Sequence, residues 1–228
     1  MLEVPRSLSD QIYEAIVDEI CGGDLTPGTH LVQERLAERF GVSRQPVQHA
    51  MGRLKADGMV EEIGRRGLFV TRLDPTRMLE HYGIRAALDG WAARIGALRI
   101  SGDPEIRDHV SSEGAALQEA ATTAAAEGDV ALLVKLDDRF HQLIYATSGN
   151  KLITETAEPH WRFLRRAMGD VLRHAETPTN IWGQHRGILD AMLAGDGDSA
   201  RDLAEAHAKD ASFLLLDALY AAQSGDAT

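Results

Sequence analysis

Four side chains in the second half of the chain are of the types that bind divalent transition metals. In the segment LDDRFHQLI, Asp137 and His141 are four positions apart, which places a carboxylate and an imidazole on one face of a helix. His185 follows in QHRGILDAMLAGD, and His207 in AEAHAKD. Three imidazoles and one carboxylate suit zinc, nickel or manganese, with coordination positions left for water or a ligand.

The spacing alone leaves other interpretations open. Each histidine could be an ordinary core or surface residue, because sequence distance does not show that three helices converge. A metal-dependent hydrolase or lyase is an alternative, since a metal with open positions can activate water. The chain has no HExxH helix, however, and Asp138 is the one obvious general base beside the set. A sensor of the metal itself and a purely structural metal are further alternatives.

A second group of polar residues lies at the start of a short helix in GVSRQPVQHAMGRL. Apolar residues of this helix recur at the spacing of a buried stripe, namely Val47, Ala50, Met51 and Leu54. The opposite face must therefore point outward, and it carries Arg44, Gln45, Gln48 and His49. Arginine pairs with guanine and glutamine with adenine in the major groove, so this face suits DNA recognition.

The surrounding elements support that interpretation. A helix is predicted over Leu8–Cys21 and a second over Gln33–Phe40, with Ser43 as the N-cap of the third. The segment MVEEIGRRGLFVTRL then predicts a hairpin with basic residues at its tip. Three helices and a basic hairpin predict a winged helix-turn-helix, in which the hairpin arginines reach phosphates or the minor groove. The residues predicted to contact DNA are Arg35, Ser43, Arg44, Gln45, Gln48, His49, Arg53, Arg65, Arg66 and Gly67.

The remainder of the chain predicts long helices separated by the breakers SGDP, EGD, SGN, ETPT and GDGD. They fall at roughly residues 75–100, 104–127, 130–147, 151–174, 178–194 and 199–223, which favours an antiparallel bundle of about six helices. The predicted fold class is mainly α. The predicted domains are a winged helix-turn-helix over residues 1–73 and an all-helical effector-binding and dimerisation domain over residues 74–228.

Composition sets further limits. The net charge is -11, but residues 33–67 hold 7 basic against 5 acidic residues, so the positive potential is local. No run approaches the roughly 18 to 20 apolar residues that span a bilayer. The N-terminal residues also lack a signal-peptide pattern, so a cytoplasmic protein without a membrane partner is expected. Cys21 is the single cysteine, which excludes an intrachain disulfide and a cysteine-based zinc cluster.

Residues 23–70 resemble the DNA-binding domain of the GntR family of bacterial transcriptional regulators. The resemblance rests on GDLTPGTHLVQERLAERFGVSRQPVQHAMGRLKADGMV and RRGLFV, in which GVSR-x-PV and L-x-x-DG-x-V are specific phrases. It implies that Arg44 contacts operator bases. Gln48 and His49 stand where the family usually has an arginine and an acidic residue, and the charge order of residues 33–35 also differs. These differences concern the operator sequence rather than the DNA-binding role.

The segments DDRFHQLIYATSGN, QHRGILDAMLAGD and AEAHAKD resemble the ligand-binding domain of the FadR subfamily, in its metal-containing, VanR-like branch with six helices. The resemblance implies that Asp137, His141, His185 and His207 hold a metal at the floor of an effector pocket. Zinc is the first expectation, with nickel or manganese as alternatives. The resemblance also implies that Arg85 pairs with the effector's carboxylate. Asp89 stands where Glu is common in this family.

These observations together predict a homodimeric, ligand-responsive repressor rather than an enzyme. Two recognition helices related by two-fold symmetry would bind an inverted repeat in double-stranded operator DNA. A small carboxylate effector would alter DNA affinity through the helical domain.

Overall fold

The computed structural model describes residues 7–64, 66–172 and 180–225. They form two compact units that divide between Asp74 and Pro75. In the described part of the first unit, the elements are α1 Leu8–Gly22, β1 His30–Leu31, α2 Gln33–Phe40, α3 Arg44–Ala56, β2 Val60–Glu62 and β3 Leu68–Val70. The strands form an antiparallel sheet in the order β1, β3, β2. The predicted winged helix-turn-helix is confirmed.

The core of the first unit lies between α1 and α3. The apolar stripe predicted on α3 is fully buried, and it packs with Tyr13 and Ile16 of α1. Gly41 ends α2 in the left-handed conformation with φ 65°, and the backbone amide of Val42 closes the turn on Ala37 at 3.0 Å. The short, hydrogen-bonded turn fixes α3 relative to α2, with the polar face of α3 directed outward.

Two details of this unit differ from the sequence-based expectations. No strand was predicted before α2, but His30 pairs with Phe69 and Leu31 with Leu68. A two-residue strand has no alternation of polar and apolar positions by which to recognise it. Ser43 occupies the N-cap position of α3 as predicted, but its side chain makes no capping hydrogen bond.

The second unit is a helical bundle, as predicted. Its described helices are α4 Pro75–Gly102, α5 Pro104–Glu127, α6 Val130–Ser148, α7 Lys151–Leu172, α8 Ile181–Ala194 and α9 Gly197–Gly225. The ends predicted for α7 at residue 174 and for α8 at residue 178 lie outside the described residues. Within the part of the chain that the structure covers, no helix combines the length and the apolar character needed to cross a membrane.

Helix α4 is central to this unit because it packs against α6, α7, α8 and α9. Small residues make this possible. A Cβ at Gly90 would lie 2.7 Å from Cγ of Glu205, and one at Gly96 would lie 2.8 Å from Cε of Met192. Both distances are too short for a real side chain, so glycine permits the neighbouring helices to approach α4 closely.

Gly67 has a structural role in the wing, which we define as β2, β3 and the turn between them. Its φ is +109°, and a Cβ there would lie 2.6 Å from Nε2 of His30, whose ring stacks on Phe69 at 4.5 Å. We expect Gly67→Ala to destabilise the wing by about 1 to 3 kcal/mol, because it combines a strained backbone with a clash. Native-state hydrogen exchange of the β2 and β3 amides would measure this loss.

Gly52→Ala is the matched control for that substitution. Gly52 lies inside α3, and a Cβ there would meet nothing within 4 Å. The control should slow exchange slightly, since alanine favours a helix over glycine by about 1 kcal/mol. Equal effects of the two substitutions on the β2 and β3 amides would contradict the role assigned to Gly67.

Candidate metal centre and nucleic-acid interface

The structure brings the four predicted metal ligands together. Asp137 and His141 come from α6, His185 from α8 and His207 from α9, and all four are buried. One ligand atom from each lies within 4.8 Å of the others. We call these four residues the donor cluster. Their helices are far apart in sequence, so the cluster exists only because the bundle places α6, α8 and α9 around a common point.

The spacing within the donor cluster fits a metal ion. Nε2 of His185 lies 3.2 Å from Nε2 of His207 and 3.3 Å from Oδ1 of Asp137. Bonds of about 2.0 to 2.1 Å around a tetrahedral ion separate its ligands by roughly 3.3 Å. In addition, Oδ2 of Asp137 is buried without a hydrogen-bond partner among the described residues. Buried polar atoms without partners are costly unless a further group satisfies them.

Arg85 of α4 contacts the same ligand atoms. Its Nη2 donates to Nε2 of His141 at 2.6 Å and lies 3.3 Å from Nε2 of His207. The same nitrogen is 3.8 Å from Oδ2 of Asp137. Because arginine can only donate, Nε2 of His141 must carry a lone pair that is directed at a cation. The ligand atoms of the donor cluster therefore favour a positively charged group between them.

Asp89 anchors both Arg85 and His141. It is fully buried, one helical turn after Arg85, and its Oδ2 accepts from Nε of Arg85 at 3.2 Å. The same oxygen lies 3.1 Å from Nδ1 of His141, although without the angle of a standard hydrogen bond. The hydroxyl of Tyr145 donates to Asp89 and accepts from Nε1 of Trp161 at 2.9 Å. Carboxylates that orient a ligating histidine from behind are typical of metal sites.

His207 is oriented by a second relay that the sequence did not indicate. Its Nδ1 lies 2.9 Å from Oε1 of Gln184, and Nε2 of Gln184 donates to Asp210 at 2.9 Å. An ionised carboxylate can only accept hydrogen bonds, so the atom of Gln184 that faces Asp210 must be the amide nitrogen. The amide oxygen of Gln184 then faces His207. Nδ1 of His207 must then carry the proton, which leaves Nε2 of His207 as a ligand atom.

The protonation states agree with metal binding. Burial lowers the pKa of His185 to about 4, against the effect of its hydrogen bond to Asp137. Burial and the neighbouring His185 and Arg85 hold the pKa of His207 well below its usual range. Burial alone would raise the pKa of Asp137, but His185 and Arg85 hold it well below its ordinary value. At neutral pH the two imidazoles are neutral and the carboxylate is ionised, which are the forms that bind metals.

The polar face predicted on α3 is exposed. We call its four residues the recognition face, namely Arg44, Gln45, Gln48 and His49. Arg35, Ser43 and Arg66 are also exposed, whereas Arg65 lies outside the described residues. Glu34 of α2, which the sequence-based prediction did not include, contacts Arg44 across the turn between the two helices.

Arg53 differs from the other predicted DNA contacts. It is only partly exposed, its guanidinium lies 4.1 Å over the ring of Tyr13, and it pairs with Asp10 of α1. These contacts tie α3 to α1, and the contact of Arg53 with DNA stays a prediction. A helical arginine at the edge of an exposed face looks the same in the sequence whichever neighbour it binds.

Family models match both units. Residues 8–70 match the model described as bacterial regulatory proteins, gntR family, and residues 80–210 match the FCD domain, which by itself spans more than half of the chain. The chain belongs to the GntR family of bacterial transcriptional regulators. As a GntR regulator of the FadR-like type, it combines a DNA-binding winged helix-turn-helix with a helical ligand-binding domain.

Relatives of this GntR regulator are transcriptional regulators rather than enzymes, as predicted. An uncharacterised HTH-type transcriptional regulator in an unstable DNA locus of Streptomyces ambofaciens is 30% identical over 89% of this chain and 82% of its own length. The HTH-type transcriptional repressor RspR of Escherichia coli is 26% identical over 92% of this chain and 90% of its own.

Solved structures support the fold of the GntR regulator. The Escherichia coli protein McbR/YncC superposes with a TM-score of 0.77 at 22% identity, covering 92% of this chain and 97% of its own. A transcriptional regulator from Rhodococcus sp. RHA1 gives the same TM-score, identity and coverage. At this level of identity the likeness establishes the architecture alone.

Proposed function

We propose that the protein is a homodimeric repressor that binds an inverted repeat and is released from it by a small carboxylate bound at a metal-containing pocket. The observation that carries the proposal is the convergence of the donor cluster with Arg85 in the interior of the ligand-binding domain. The relative RspR of Escherichia coli is named a repressor, which supports repression as the mode of regulation. A ligand that binds better to the state with the lower DNA affinity weakens DNA binding. The change in binding free energy equals the coupling energy between the two sites, typically about 1 to 3 kcal/mol.

The metal would be held by Asp137, His141, His185 and His207, with zinc as the first choice for this set and nickel or manganese as alternatives. Bound there, it would supply a Lewis acid to which a carboxylate can coordinate. Gln184 would orient His207, and Asp89 would orient His141. These outer contacts are expected to affect metal affinity because they fix the direction of the ligand lone pairs.

Elemental analysis of protein purified without a chelating tag should find near-stoichiometric zinc, nickel or manganese. His207→Ala should abolish retention of the metal, since one of the four ligands is lost. Gln184→Ala should weaken metal affinity by about 10- to 100-fold, the usual effect of removing an outer-shell partner. Competition with a fluorescent chelator would measure both changes.

His109→Ala is the control for these variants, because His109 is an exposed histidine on α5. It should leave the metal content unchanged. Full metal content in His207→Ala would show that His207 is not a metal ligand. Folded wild-type protein that binds DNA but holds no metal would contradict the metal proposal while leaving the family assignment intact.

Charge supports a carboxylate effector. Arg85, Asp89 and Asp137 together carry one net negative charge, and a divalent ion would convert this to one net positive charge. A single carboxylate would then neutralise the site, which favours binding in a buried environment. Among the described residues, the hydroxyl of Tyr82 is also buried without a hydrogen-bond partner, and its ring lies 5.4 Å from Cζ of Arg85. A polar ligand beside Arg85 would satisfy it.

Arg85→Met should separate effector binding from metal binding. The variant should lose at least about 10-fold in affinity for short carboxylic acids, because a charge-assisted bond is removed. It should keep its metal or bind it more tightly, because a positive charge near the ligand atoms is gone. Calorimetry with a panel of short mono- and dicarboxylic acids, run beside elemental analysis, would test both statements.

Arg107→Met, at an exposed arginine on α5, is the control. If Arg85→Met and Arg107→Met bound the acids equally well, Arg85 would not be the effector anchor. Loss of the metal in Arg85→Met would show that Arg85 supports the donor cluster instead.

Helix α4 also carries an exposed apolar stripe that suits a homodimer. Ile84, Trp91 and Leu98 are 46%, 52% and 56% exposed and are spaced at seven residues. Seven residues are close to two helical turns, so the three side chains form one row. The row is symmetric about Trp91. Two copies of α4 crossing antiparallel would therefore place Trp91 against Trp91 and Ile84 against Leu98, as a two-fold axis requires.

Trp91→Glu should convert the dimer to a monomer, because it would bring two carboxylates together on the two-fold axis. Light scattering would show the change in mass, and affinity for an inverted repeat should fall more than affinity for a single half-site. Leu152→Glu, at another exposed leucine on α7, is the control and should remain dimeric. A Trp91→Glu variant that remains dimeric would show that the interface does not include Trp91.

A further inference from the structure

The recognition face includes an arginine that is already paired within the protein. Nη1 of Arg44 lies 3.2 Å from Oε1 of Glu34, and the two side chains are 71% and 52% exposed. Glu34 comes from the first turn of α2 and Arg44 from the first residue of α3. The pair thus spans the turn of the helix-turn-helix. An acidic side chain here faces the surface that must meet phosphates, so its presence needs an explanation.

The atoms involved leave one edge of the guanidinium available. Reading guanine requires two parallel N–H donors directed at O6 and N7. Glu34 contacts Nη1, so Nε and Nη2 of Arg44 can form that pair on the opposite edge. A carboxylate on Nη1 therefore does not compete with guanine, but it favours those orientations of the guanidinium plane that keep Nη1 near Glu34.

We propose that Glu34 is a positioning residue that directs Arg44 toward guanine and disfavours its use as a general phosphate contact. This inference rests on the proposed role of Arg44 in reading operator bases. Holding a long side chain before binding reduces the entropy lost when it meets the base. The charge of Glu34 also repels phosphates that approach Arg44 outside the correct register. Both effects increase discrimination between operator and other DNA rather than total affinity.

A role in stability is a weaker explanation of the pair. Exposed ion pairs contribute little to folding because solvent screens them and ordering the two side chains costs entropy. The first unit contains similar pairs away from the recognition face, between Arg39 and Glu19 at 2.9 Å and between Lys55 and Glu62 at 2.6 Å. The pair of Glu34 differs from these because its basic partner belongs to the recognition face.

Glu38 provides a matched control for Glu34. It is exposed on α2, one helical turn after Glu34, and makes no ion pair among the described residues. Removing either carboxylate changes the net charge of α2 by the same amount. A general electrostatic effect on DNA affinity should therefore appear in both variants, whereas an effect on the direction of Arg44 should appear only in Glu34 variants.

The experiment uses the full-length protein and an operator selected from random duplexes with the wild type. Fluorescence anisotropy at fixed salt would compare this operator, versions with each guanine replaced in turn, and a random duplex. The proteins are the wild type, Glu34→Ala, Glu38→Ala, Arg44→Ala and the double variant of Glu34 and Arg44. Far-ultraviolet circular dichroism would confirm that each variant is folded.

Glu34→Ala is expected to lose about 5- to 10-fold of the preference for one guanine, within the range of a bidentate base contact, and to bind random DNA more tightly. Glu38→Ala should strengthen binding to all duplexes by one common factor. In the Arg44→Ala background, Glu34→Ala should have no further effect on guanine preference, because the group that it positions is absent.

Two results would overturn the proposal. One is a uniform change on all duplexes for Glu34→Ala, as for Glu38→Ala. The other is an additive loss of guanine preference in the double variant. Different results would contradict the base-reading role of Arg44, on which this proposal rests. They are a wild-type protein without any sequence preference, or an Arg44→Ala variant that keeps its full guanine preference.

Discussion

The helical unit is organised around a charged arginine that is buried between carboxylates. Arg85 is 2% exposed, and the charges of Asp89 and Asp137 raise its pKa above the ordinary value even though burial opposes the charge. A buried charge without a partner costs several kcal/mol, so removing one of these carboxylates singly should destabilise the unit. Tyr145 and Trp161 complete the arrangement, with Trp161 lying 4.3 Å from Cζ of Arg85. The positions of α4, α6 and α7 are therefore set by charge as well as by packing.

The two units handle charge in opposite ways. Around the donor cluster the ionised groups Arg85, Asp89 and Asp137 are buried and fixed by several contacts. In the DNA-binding unit the ion pairs of Arg39, Arg44 and Lys55 involve exposed side chains. Exposed pairs contribute little to folding, and they leave the other N–H donors of these cations open to solvent. The buried groups thus offer fixed partners, whereas the exposed cations of the DNA-binding unit keep N–H donors accessible to DNA.

The sequence indicated the elements and the residue types better than their contacts. The stripe from Val47 to Leu54 predicted the recognition helix because its periodicity is strong, and the winged helix-turn-helix, the bundle and the family are confirmed. The donor cluster was named residue by residue, although the metal itself stays a prediction. The relays through Asp89 and Gln184 were not foreseen, because they join residues from different helices and carry no local pattern. Asp89 did offer one signal, its position four residues after Arg85, which a helix places on the same face.

Strand β1 and Arg53 show the same limitation in the DNA-binding unit. Two residues are too few to display a period, and a basic side chain carries no mark in the sequence of whether it meets DNA or a neighbouring helix. In both cases the contacts are tertiary, through pairing with β3 for His30 and Leu31 and through Tyr13 and Asp10 for Arg53. The predicted contact of Arg53 with DNA is not decided by them.

The glycines that let other helices approach α4 have a mechanical consequence. With Glu205 against Gly90 and Met192 against Gly96, α4 cannot bend locally without opening gaps against α9 and α8. Closely packed interfaces of this kind shift between discrete arrangements rather than deform gradually. Helix α4 begins at Pro75, the first residue of its unit, and Arg85 lies ten residues further, or about 15 Å along the axis. One continuous helix thus joins Arg85 to the residue at which the DNA-binding unit is attached.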